Sequence, residues 1–309
     1  MNSFGSSTSM VVKGRSAGLP LEGPGLVSDH RGQRPQSRFL RPLSRHQFTE
    51  LPFCVRHPTN ISAKANLFAP LIMKTLGLLG GMSWESTTTY YQEINRRVRH
   101  VQGGLHSARC VIFSFDFAEI EALQHADKWK EAGDLLNDAA AKLKLAGADA
   151  IVLCTNTMHF VSDGIEAASQ LPLIHIVDPT ADRILQRGFS SVGLLGTRFT
   201  MEKEFYTTRL AQKYGLTVIV PDESDRATVH SIIYTELCNG IIAEASREAY
   251  RKAIRNLAKA GAECLILGCT EIGLLVNEAD CELPVFDTAQ IHATAAADWA
   301  MSIEPASNN

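Results

Sequence analysis

The chain has 309 residues, of which 45% are hydrophobic, and its formal net charge at pH 7 is −3. This length and composition are typical of a globular protein with one large or two modest domains. No apolar run approaches the roughly 18–20 residues that a membrane helix needs, so we expect no membrane association.

The charge distribution and the cysteine content indicate which partners and which metal or disulfide sites to expect. Residues 1–72 contain nine Lys and Arg against three Asp and Glu, so the acidic surplus lies in residues 73–309. An acidic folded part argues against a nucleic-acid partner. The seven cysteines are odd in number and include no Cys-x-x-Cys pair. This pattern is typical of reduced thiols in the cytoplasm and argues against a disulfide framework or a zinc site, so we expect no metal.

The N-terminal segment differs from the rest. Residues 1–72 hold seven of the twelve prolines and many serines. Such a composition buries little apolar surface, so we expect a disordered extension outside the fold. Its Arg- and Ser-rich character loosely resembles an organellar transit peptide. We favour an upstream in-frame extension with Met73 as the working start, because residues 73–80 look like the first strand of a domain.

From Lys74 onward, short apolar runs alternate with helical stretches. The predicted strands are 75–79, 109–115, 150–154, 173–177, 191–195, 216–220, 263–267 and 284–286. The predicted helices are 84–99, 118–145, 161–169, 179–187, 201–213, 225–260 (broken near Asn239-Gly240) and 289–301. This alternation predicts an α/β fold of parallel sheets with helices on both faces.

The two halves of this region resemble each other. Three landmarks recur in the same order at offsets of 116, 114 and 112: residues 76–80 and 192–196, 147–153 and 261–267, 171–172 and 283–284. We therefore predict two pseudo-symmetric α/β domains, at 73–180 (with 286–309 returning to it) and 181–285. Ligands of open α/β sheets bind beyond the carboxyl ends of the strands, so we expect the active site in the cleft between the domains.

The equivalent strand ends carry the candidate chemistry. An offset of 114 places residues 155–157 (Thr-Asn-Thr) opposite residues 269–271 (Cys-Thr-Glu). Racemisation requires one proton-handling group on each face of the substrate Cα. Cys269 suits the base role, because the pKa of a thiol, about 8.5, falls beside a helix N-terminus. Thr155 would then stand on the opposite face, with His159 as a candidate relay that reprotonates it.

Plainer interpretations compete with these roles. Cys269 can be a buried structural cysteine, and Thr155 a helix N-cap. His159 can equally be a capping or helix-surface residue. We expect Cys154 to be structural, because alternation along an extended chain turns it away from the side of Thr155.

Three motifs make a resemblance specific. Residues 79–87 (LGGMSWEST), 154–159 (CTNTMH) and 268–271 (GCTE) together resemble the aspartate/glutamate racemase family, especially its bacterial L-aspartate/glutamate-specific branch, and the resemblance covers residues 73–302. It implies a cofactor-independent enzyme of two α/β domains, often a homodimer, with Cys269 as base for the L-isomer and Thr155 on the other face. It also implies substrate contacts from Met82, Gln124, Asn156, Thr157, Thr270 and Glu271, with Thr197 and Thr200 as further candidates for the substrate carboxylate.

The sequence departs from the family at two points. Many members carry Cys in both loops, whereas Thr155 replaces the first one here. A Thr hydroxyl is a poor base at neutral pH, so D-isomers should be poor substrates. Some aspartate-specific members carry a basic residue where Gln124 stands here and another near Thr228. Both positions are neutral in this sequence, which leaves the side-chain specificity open.

Several functions therefore remain open at this point. The leading one is racemisation of L-glutamate or L-aspartate. The alternatives are a broad-specificity racemase acting on amino acids such as homoserine, a decarboxylase or isomerase on the same scaffold, and a binding protein that lost catalysis. A cysteine hydrolase is disfavoured, because no Cys–His pair stands out.

Overall fold

The computed structural model describes residues 73–302. The expected disordered extension, residues 1–72, lies outside this range, as do residues 303–309. Eight strands form within it: β1 Leu76–Gly80, β2 Cys110–Ser114, β3 Ala150–Leu153, β4 Leu173–Ile174, β5 Ser191–Gly196, β6 Thr217–Ile219, β7 Cys264–Gly268 and β8 Val285–Asp287.

The strands form two four-stranded sheets with the same order, β2-β1-β3-β4 and β6-β5-β7-β8, and every pairing is parallel. The register is repeated as well, since Leu79 pairs with Leu153 in the first sheet and Leu195 with Leu267 in the second. The predicted fold class, two pseudo-symmetric parallel-sheet units, is confirmed.

The central strands owe their position to uninterrupted apolar sequence. Every residue of β1, β3 and β7 is buried. A parallel strand covered on both faces needs such a run, because no side chain of it reaches water. The edge strand β2 is only partly buried and leaves Ile112 exposed.

Helices cover both faces of each sheet. They are α1 Trp84–Gln102, α2 Phe117–His125, α3 Trp129–Leu145, α4 Asp163–Ser169, α5 Val177–Gln186, α6 Arg198–Glu202, α7 Glu204–Thr208, α8 Glu223–Thr235, α9 Glu244–Lys259, α10 Ile272–Leu275 and α11 Thr288–Met301. Short 3₁₀ turns span Thr157–Val161, Leu237–Asn239 and Glu278–Asp280, and a π-helical turn spans Arg209–Lys213.

The predicted helices differ from these bounds where local chemistry interrupts them. The continuous helix expected at 118–145 divides at Asp127, which adopts a left-handed φ of 55°. Asp tolerates this conformation better than most residues. The stretch 201–213 divides into α6, α7 and the π-helical turn. The break expected near Asn239-Gly240 is confirmed, with Gly240 at φ 70°.

The last helix of each half packs on the other half. Helix α11 packs with α1 against the first sheet, where its alanines meet Leu78 and Val152. Helix α5, which follows the last strand of the first sheet, packs against Val192 and Ile266 of the second. Each core is therefore completed by both parts of the chain, while the domain boundaries drawn from the sequence stay a prediction.

Within residues 73–302, none of the helices combines the length and apolar character required to cross a membrane.

Candidate active site

A cavity lies where the carboxyl ends of the central strands of both sheets face each other. The space between its walls, including the opening to solvent, is about 320 Å³. The following residues line it: Met82, Phe117, Gln124, Thr155, Asn156, Thr157, Thr197, Ile233, Tyr234, Cys238, Cys269 and Glu271. The duplicated topology thus brings the two equivalent loops to one cavity, with Thr155 and Cys269 both in its wall.

Cys269 stands directly after β7, and Gly268 makes this position possible. A Cβ at Gly268 would lie 2.8 Å from Cδ1 of Leu194 and 2.9 Å from the carbonyl oxygen of Leu195, both on the neighbouring strand. Real Cβ atoms essentially never approach so closely, so glycine allows the strand to reach the cavity. The Cys269 side chain is 9% exposed.

Glu271 collects three hydrogen bonds from neighbouring side chains. Its Oε2 accepts from the Cys269 thiol over 3.0 Å and from the Thr270 hydroxyl over 2.8 Å. Its Oε1 accepts from the Ser83 hydroxyl over 2.8 Å. Ser83 also caps α1, since its side chain accepts the Ser86 N–H. The first half therefore holds a carboxylate that belongs to the second.

The environment of Cys269 opposes its ionisation. Burial raises the pKa of the thiol well above its usual value, and the negative charge of Glu271 raises it further. The hydrogen bond donated to Glu271 acts in the same direction, because it stabilises the protonated form. The expectation that the pKa of this thiol is lowered is therefore wrong, since its surroundings raise it. Helix α10, beyond this loop, has only four residues.

Thr155 opens the loop after β3, where its N–H donates to the carbonyl of Leu153 over 2.9 Å. The preceding Cys154 is fully buried in the core formed by the first sheet and α11, in line with its predicted structural role. Asn156 donates from Nδ2 to the Thr288 hydroxyl over 3.0 Å, while its buried Oδ1 has no partner. An acceptor left unpaired in a cavity wall is suited to a donor supplied by a ligand.

Three threonine hydroxyls meet across the cleft. Oγ1 of Thr157, from the first half, lies 2.9 Å from Oγ1 of Thr197 and 3.4 Å from Oγ1 of Thr200. The hydroxyls of Thr197 and Thr200 are 3.2 Å apart, and Thr197 caps α6. Thr200 is fully buried and supports the cluster from behind, outside the cavity wall. This cluster offers several O–H donors to a carboxylate.

A second bridge crosses the cleft through Gln124. The Tyr234 hydroxyl, on α8, donates to Oε1 of Gln124 on α2 over 3.0 Å. Nε2 of Gln124 in turn contacts the sulfur of Met158 at 3.0 Å. The Tyr234 ring stacks on Phe117 with centroids 6.4 Å apart. Burial raises the pKa of Tyr234, so its hydroxyl stays protonated and remains a donor.

The cavity has one formal charge among its described lining residues, the carboxylate of Glu271, and none of those residues is Lys, Arg or His. A buried anion without a counter-charge is costly. The lining is therefore suited to a ligand that brings a positive group, such as an ammonium.

Most of the residues predicted for the site line this cavity. Two do not: Thr200 supports Thr197, and Thr270 donates its hydroxyl to Glu271. The prediction missed other lining residues that lie within helical stretches: Phe117, Ile233, Tyr234 and Cys238. No local motif marks them, because they reach the cavity only through the packing of α2, α8 and the 3₁₀ turn Leu237–Asn239 over the cleft.

His159 is not placed as a relay to the Thr155 hydroxyl. Its Nδ1 lies 2.8 Å from the main-chain oxygen of Thr155, and its Nε2 lies 3.2 Å from the N–H of Ile176. Both ring nitrogens are therefore used by the backbone. Burial lowers its pKa well below the usual value, which keeps the ring neutral.

Across residues 73–302, His, Cys, Asp and Glu side chains nowhere gather in a group of three or more suited to a metal ion. The absence of a cofactor from the reaction remains a prediction that the sequence resemblance implies.

The paired loops on a duplicated parallel-sheet scaffold are those of an amino-acid racemase, an isomerase. The chain belongs to the Asp/Glu/hydantoin racemase family, whose model matches residues 79–296. The resemblance noted in the sequence is thereby confirmed.

Three relatives illustrate the match. A crystal structure from Yersinia pestis, described as that of a proposed Asp/Glu racemase, is 57% identical, with a TM-score of 0.70, and the match covers 74% of this chain and 100% of that one. An aspartate racemase homologue from Pyrococcus horikoshii OT3 is 33% identical, with a TM-score of 0.64 and the same coverage. The broad specificity amino-acid racemase RacX of Bacillus subtilis strain 168 is 25% identical over 219 residues, which are 69% of this chain and 92% of RacX.

Proposed function

We propose that the protein interconverts the enantiomers of a free amino acid without a cofactor, with Cys269 as the base for the L-isomer and Thr155 as the acid on the opposite face. The observation that carries this proposal is the shared cavity of the two equivalent loops, one bearing the thiol and the other the hydroxyl. Membership of the racemase family supports it.

A free amino acid carries the groups that this cavity wall is suited to bind. Its ammonium group would pair with Glu271 and donate to Oδ1 of Asn156, which has no partner. Its carboxylate would accept from the hydroxyls of Thr157 and Thr197. With the ammonium in place, the charge of Glu271 no longer opposes ionisation of Cys269, so binding lowers the thiol pKa.

The proton transfers then balance. When the ammonium binds, the Cys269 thiol releases its proton to water, while Glu271 stays ionised as the partner of the ammonium. The thiolate removes the Cα proton of the L-isomer and becomes a thiol again. Thr155 donates its hydroxyl proton to the other face of the carbanion and is reprotonated from water. The hydroxide that remains combines with the proton that Cys269 released, so the thiol, the hydroxyl and the carboxylate all return to their starting forms. In the reverse direction Thr155 would have to remove a proton, which a hydroxyl does slowly at neutral pH.

The side-chain class follows from the charge of the cavity wall. L-Glutamate and L-aspartate were the leading expectation, but a second carboxylate would find no cationic side chain among the described lining residues. Gln124 and Tyr234 offer neutral polar groups instead. This favours the second candidate, a broad-specificity racemase that accepts uncharged side chains such as that of homoserine. The similarity to RacX, a broad specificity racemase, supports the same choice.

One experiment tests the reaction and the substrate class together. The purified protein is incubated in D₂O with L-glutamate, L-aspartate or L-homoserine, and the loss of the Cα proton is followed by NMR. We expect exchange with wild type and none above background with Cys269→Ser, while Cys110→Ser, on edge strand β2, behaves as wild type. Wild-type exchange in Cys269→Ser would contradict the proposal. Absence of exchange with homoserine would contradict the substrate class.

The resemblance also leads us to propose a homodimer, and the odd number of cysteines without a Cys-x-x-Cys pair leads us to propose a cytoplasmic location. Trp84 and Tyr91 on α1 and Ile112 on β2 are exposed apolar side chains of the first half, which is compatible with a protein contact. Sedimentation of the purified protein measures the oligomeric state directly, and a monomer at micromolar concentration would contradict the proposal.

A further inference from the structure

His159 lies behind the Thr155 loop and outside the cavity wall. It is 3% exposed, belongs to the 3₁₀ turn Thr157–Val161, and faces a groove on the other side from the cavity. It therefore cannot touch a substrate bound between Thr155 and Cys269. Any influence on the reaction must pass through another residue.

The two hydrogen bonds of His159 fix its tautomer. A main-chain N–H can only donate, so Nε2 accepts from Ile176 and carries no proton. The proton of the neutral ring is therefore on Nδ1, which donates to the carbonyl of Thr155. Each nitrogen thus makes one hydrogen bond, and the two bonds reach different parts of the chain.

These two hydrogen bonds connect the Thr155 loop with the core of the second half. Ile176 precedes α5 and lies in the core of the second half with Val192 and Ile266. Thr155 is on the loop after β3 of the first half. Through one imidazole, the peptide that carries the Thr155 side chain is held at a set distance from the start of α5, the helix of the first half that packs on the second sheet.

Neighbouring rings hold the imidazole in place. His175 packs edge-on against His159 with ring centroids 4.5 Å apart, and His292 lies at 6.1 Å. His292 is itself held, since one nitrogen contacts the carbonyl of Ile174 at 2.6 Å and the other the Tyr90 hydroxyl at 2.8 Å. The ring of His159 therefore has little freedom to turn away from Thr155.

We propose that His159 is a positioning residue that orients Thr155 for proton delivery to one face of Cα, by donating a hydrogen bond from Nδ1 to the Thr155 carbonyl. This inference rests on the proposed function. Its consequence is selective, because only the Thr155 face depends on it. Removal of the L-proton by Cys269, and its return by Cys269 with retention, should proceed without it.

Two amide variants separate the two nitrogens. His159→Asn places an amide near the position of Nδ1 and keeps a donor for Thr155. His159→Gln places its amide near the position of Nε2, so it keeps a partner for Ile176 and loses the donor to Thr155. Each variant sacrifices one hydrogen bond, so a merely structural role predicts similar effects from both.

The readout is the ratio of inversion to exchange in D₂O, with L-homoserine and L-glutamate as separate probes. NMR gives total loss of the Cα proton, and chiral chromatography gives the D-isomer formed. We expect His159→Gln to lower this ratio about tenfold, the effect of one lost hydrogen bond of about 1.4 kcal/mol. The ratio in His159→Asn should stay within about twofold of wild type, and His100→Gln, on the exposed surface of α1, should match wild type.

Equal ratios in the two amide variants, whether lowered or unchanged, would overturn the role of His159. Absence of any exchange in wild type would instead overturn the proposed function, so the two failures are distinct. If either variant fails to fold, ¹⁵N spectra of wild-type histidines decide the matter. They should show His159 protonated on Nδ1 at pH 7, and a ring protonated on Nε2 would exclude the hydrogen bond to Thr155.

Discussion

The Cys269 thiol donates a hydrogen bond to the carboxylate of Glu271, two residues further along the same loop, over 3.0 Å. This hydrogen bond stabilises the protonated form of Cys269, the proposed base, until the ammonium group of a substrate pairs with Glu271. A thiol held in its protonated form reacts slowly with electrophiles, because the thiolate is the form that attacks them.

Glu271→Gln should change thiol ionisation and catalysis in opposite directions. Removing the negative charge lowers the pKa of Cys269, since that charge is one of the causes that raise it. The same change removes the partner of the substrate ammonium, and losing one member of a buried charge pair costs about 2 kcal/mol or more, or roughly 30-fold in kcat/KM.

Alkylation of Cys269 against pH, quantified by mass spectrometry of its peptide, measures the first effect, and Cα exchange in D₂O measures the second. Glu278→Gln, an exposed carboxylate nearby in the chain, is the matched control. A thiol pKa that stays unchanged in Glu271→Gln would show that Glu271 does not govern Cys269.

Thr155→Cys should raise the rate at which the D-isomer exchanges its Cα proton by at least about tenfold. A thiol with a pKa near 8.5 yields a usable base at neutral pH, whereas a Thr hydroxyl does not. Parallel measurements with L- and D-homoserine in D₂O check this. Thr155→Ser keeps a hydroxyl and should leave the D-rate low. A D-rate unchanged by Thr155→Cys would remove residue 155 from the second face.

Gly268→Ala should lose activity through displacement of Cys269. The new Cβ would meet the Leu195 carbonyl oxygen at 2.9 Å, so β5 and β7 must move apart. Overpacking of this kind costs about 1–3 kcal/mol of stability, and a 1 Å shift of a reacting group can cost about 100-fold in rate. Thermal unfolding and Cα exchange measure the two effects. Gly104→Ala, where a Cβ would have open space, controls for the added methyl group, although its φ of 55° makes some strain of its own.

Tyr234→Phe should raise the KM of the reaction about fivefold with little change in kcat. The variant loses the hydrogen bond to Gln124 that joins the two halves over the cavity, worth about 1 kcal/mol. Steady-state kinetics with L-homoserine give both constants, and Tyr91→Phe, on the exposed face of α1, serves as the control. An unaltered KM would show that this bridge does not contribute to substrate binding.

Acid should destabilise the fold through its buried histidines. Burial lowers the pKa of His175 to about 3 and that of His292 to about 4, and that of His159 also falls well below 6.5. Below about pH 6.5 these histidines bind protons in the unfolded chain but stay neutral in the folded chain. The free energy of unfolding therefore falls by about 1.4 kcal/mol for each histidine per unit decrease in pH. The loss should run from about pH 6.5 down to about pH 4 for His292 and down to about pH 3 for His175, and it is absent above about pH 6.5.

Urea unfolding at pH 7, 6 and 5 gives this slope. Replacing His175 by Gln should reduce it by about one histidine's share, whereas the exposed His100→Gln should leave it unchanged. A slope that is the same in His175→Gln and wild type would mean that His175 titrates normally in the folded protein.

The strands were largely predictable, because β1, β3, β5 and β7 are apolar runs whose burial leaves few other conformations open. The duplication was predictable for the same reason, since matched glycines and apolar residues recur in the same order at a nearly constant offset. The equivalence of the loops at Thr155 and Cys269 then followed from chain order alone.

The remaining features depend on tertiary packing. The protonated state of Cys269 requires knowing that Glu271 turns back onto it and that both are buried. Tyr234 enters the cavity wall only because α8 folds over the cleft toward α2, which no local pattern records. The break between α2 and α3 reflects the left-handed conformation of Asp127. Asp tolerates this conformation, but the presence of an Asp in the sequence does not predict it.

The exchange of α5 and α11 between the halves has a consequence for assembly. A chain severed between residues 187 and 190 would yield two fragments, each carrying the helix that closes the other's core and each presenting an uncovered apolar sheet face. Such fragments should remain poorly folded apart and regain activity when mixed. The intact chain should melt in a single cooperative step, since neither sheet can lose its borrowed helix without exposing the interior of both.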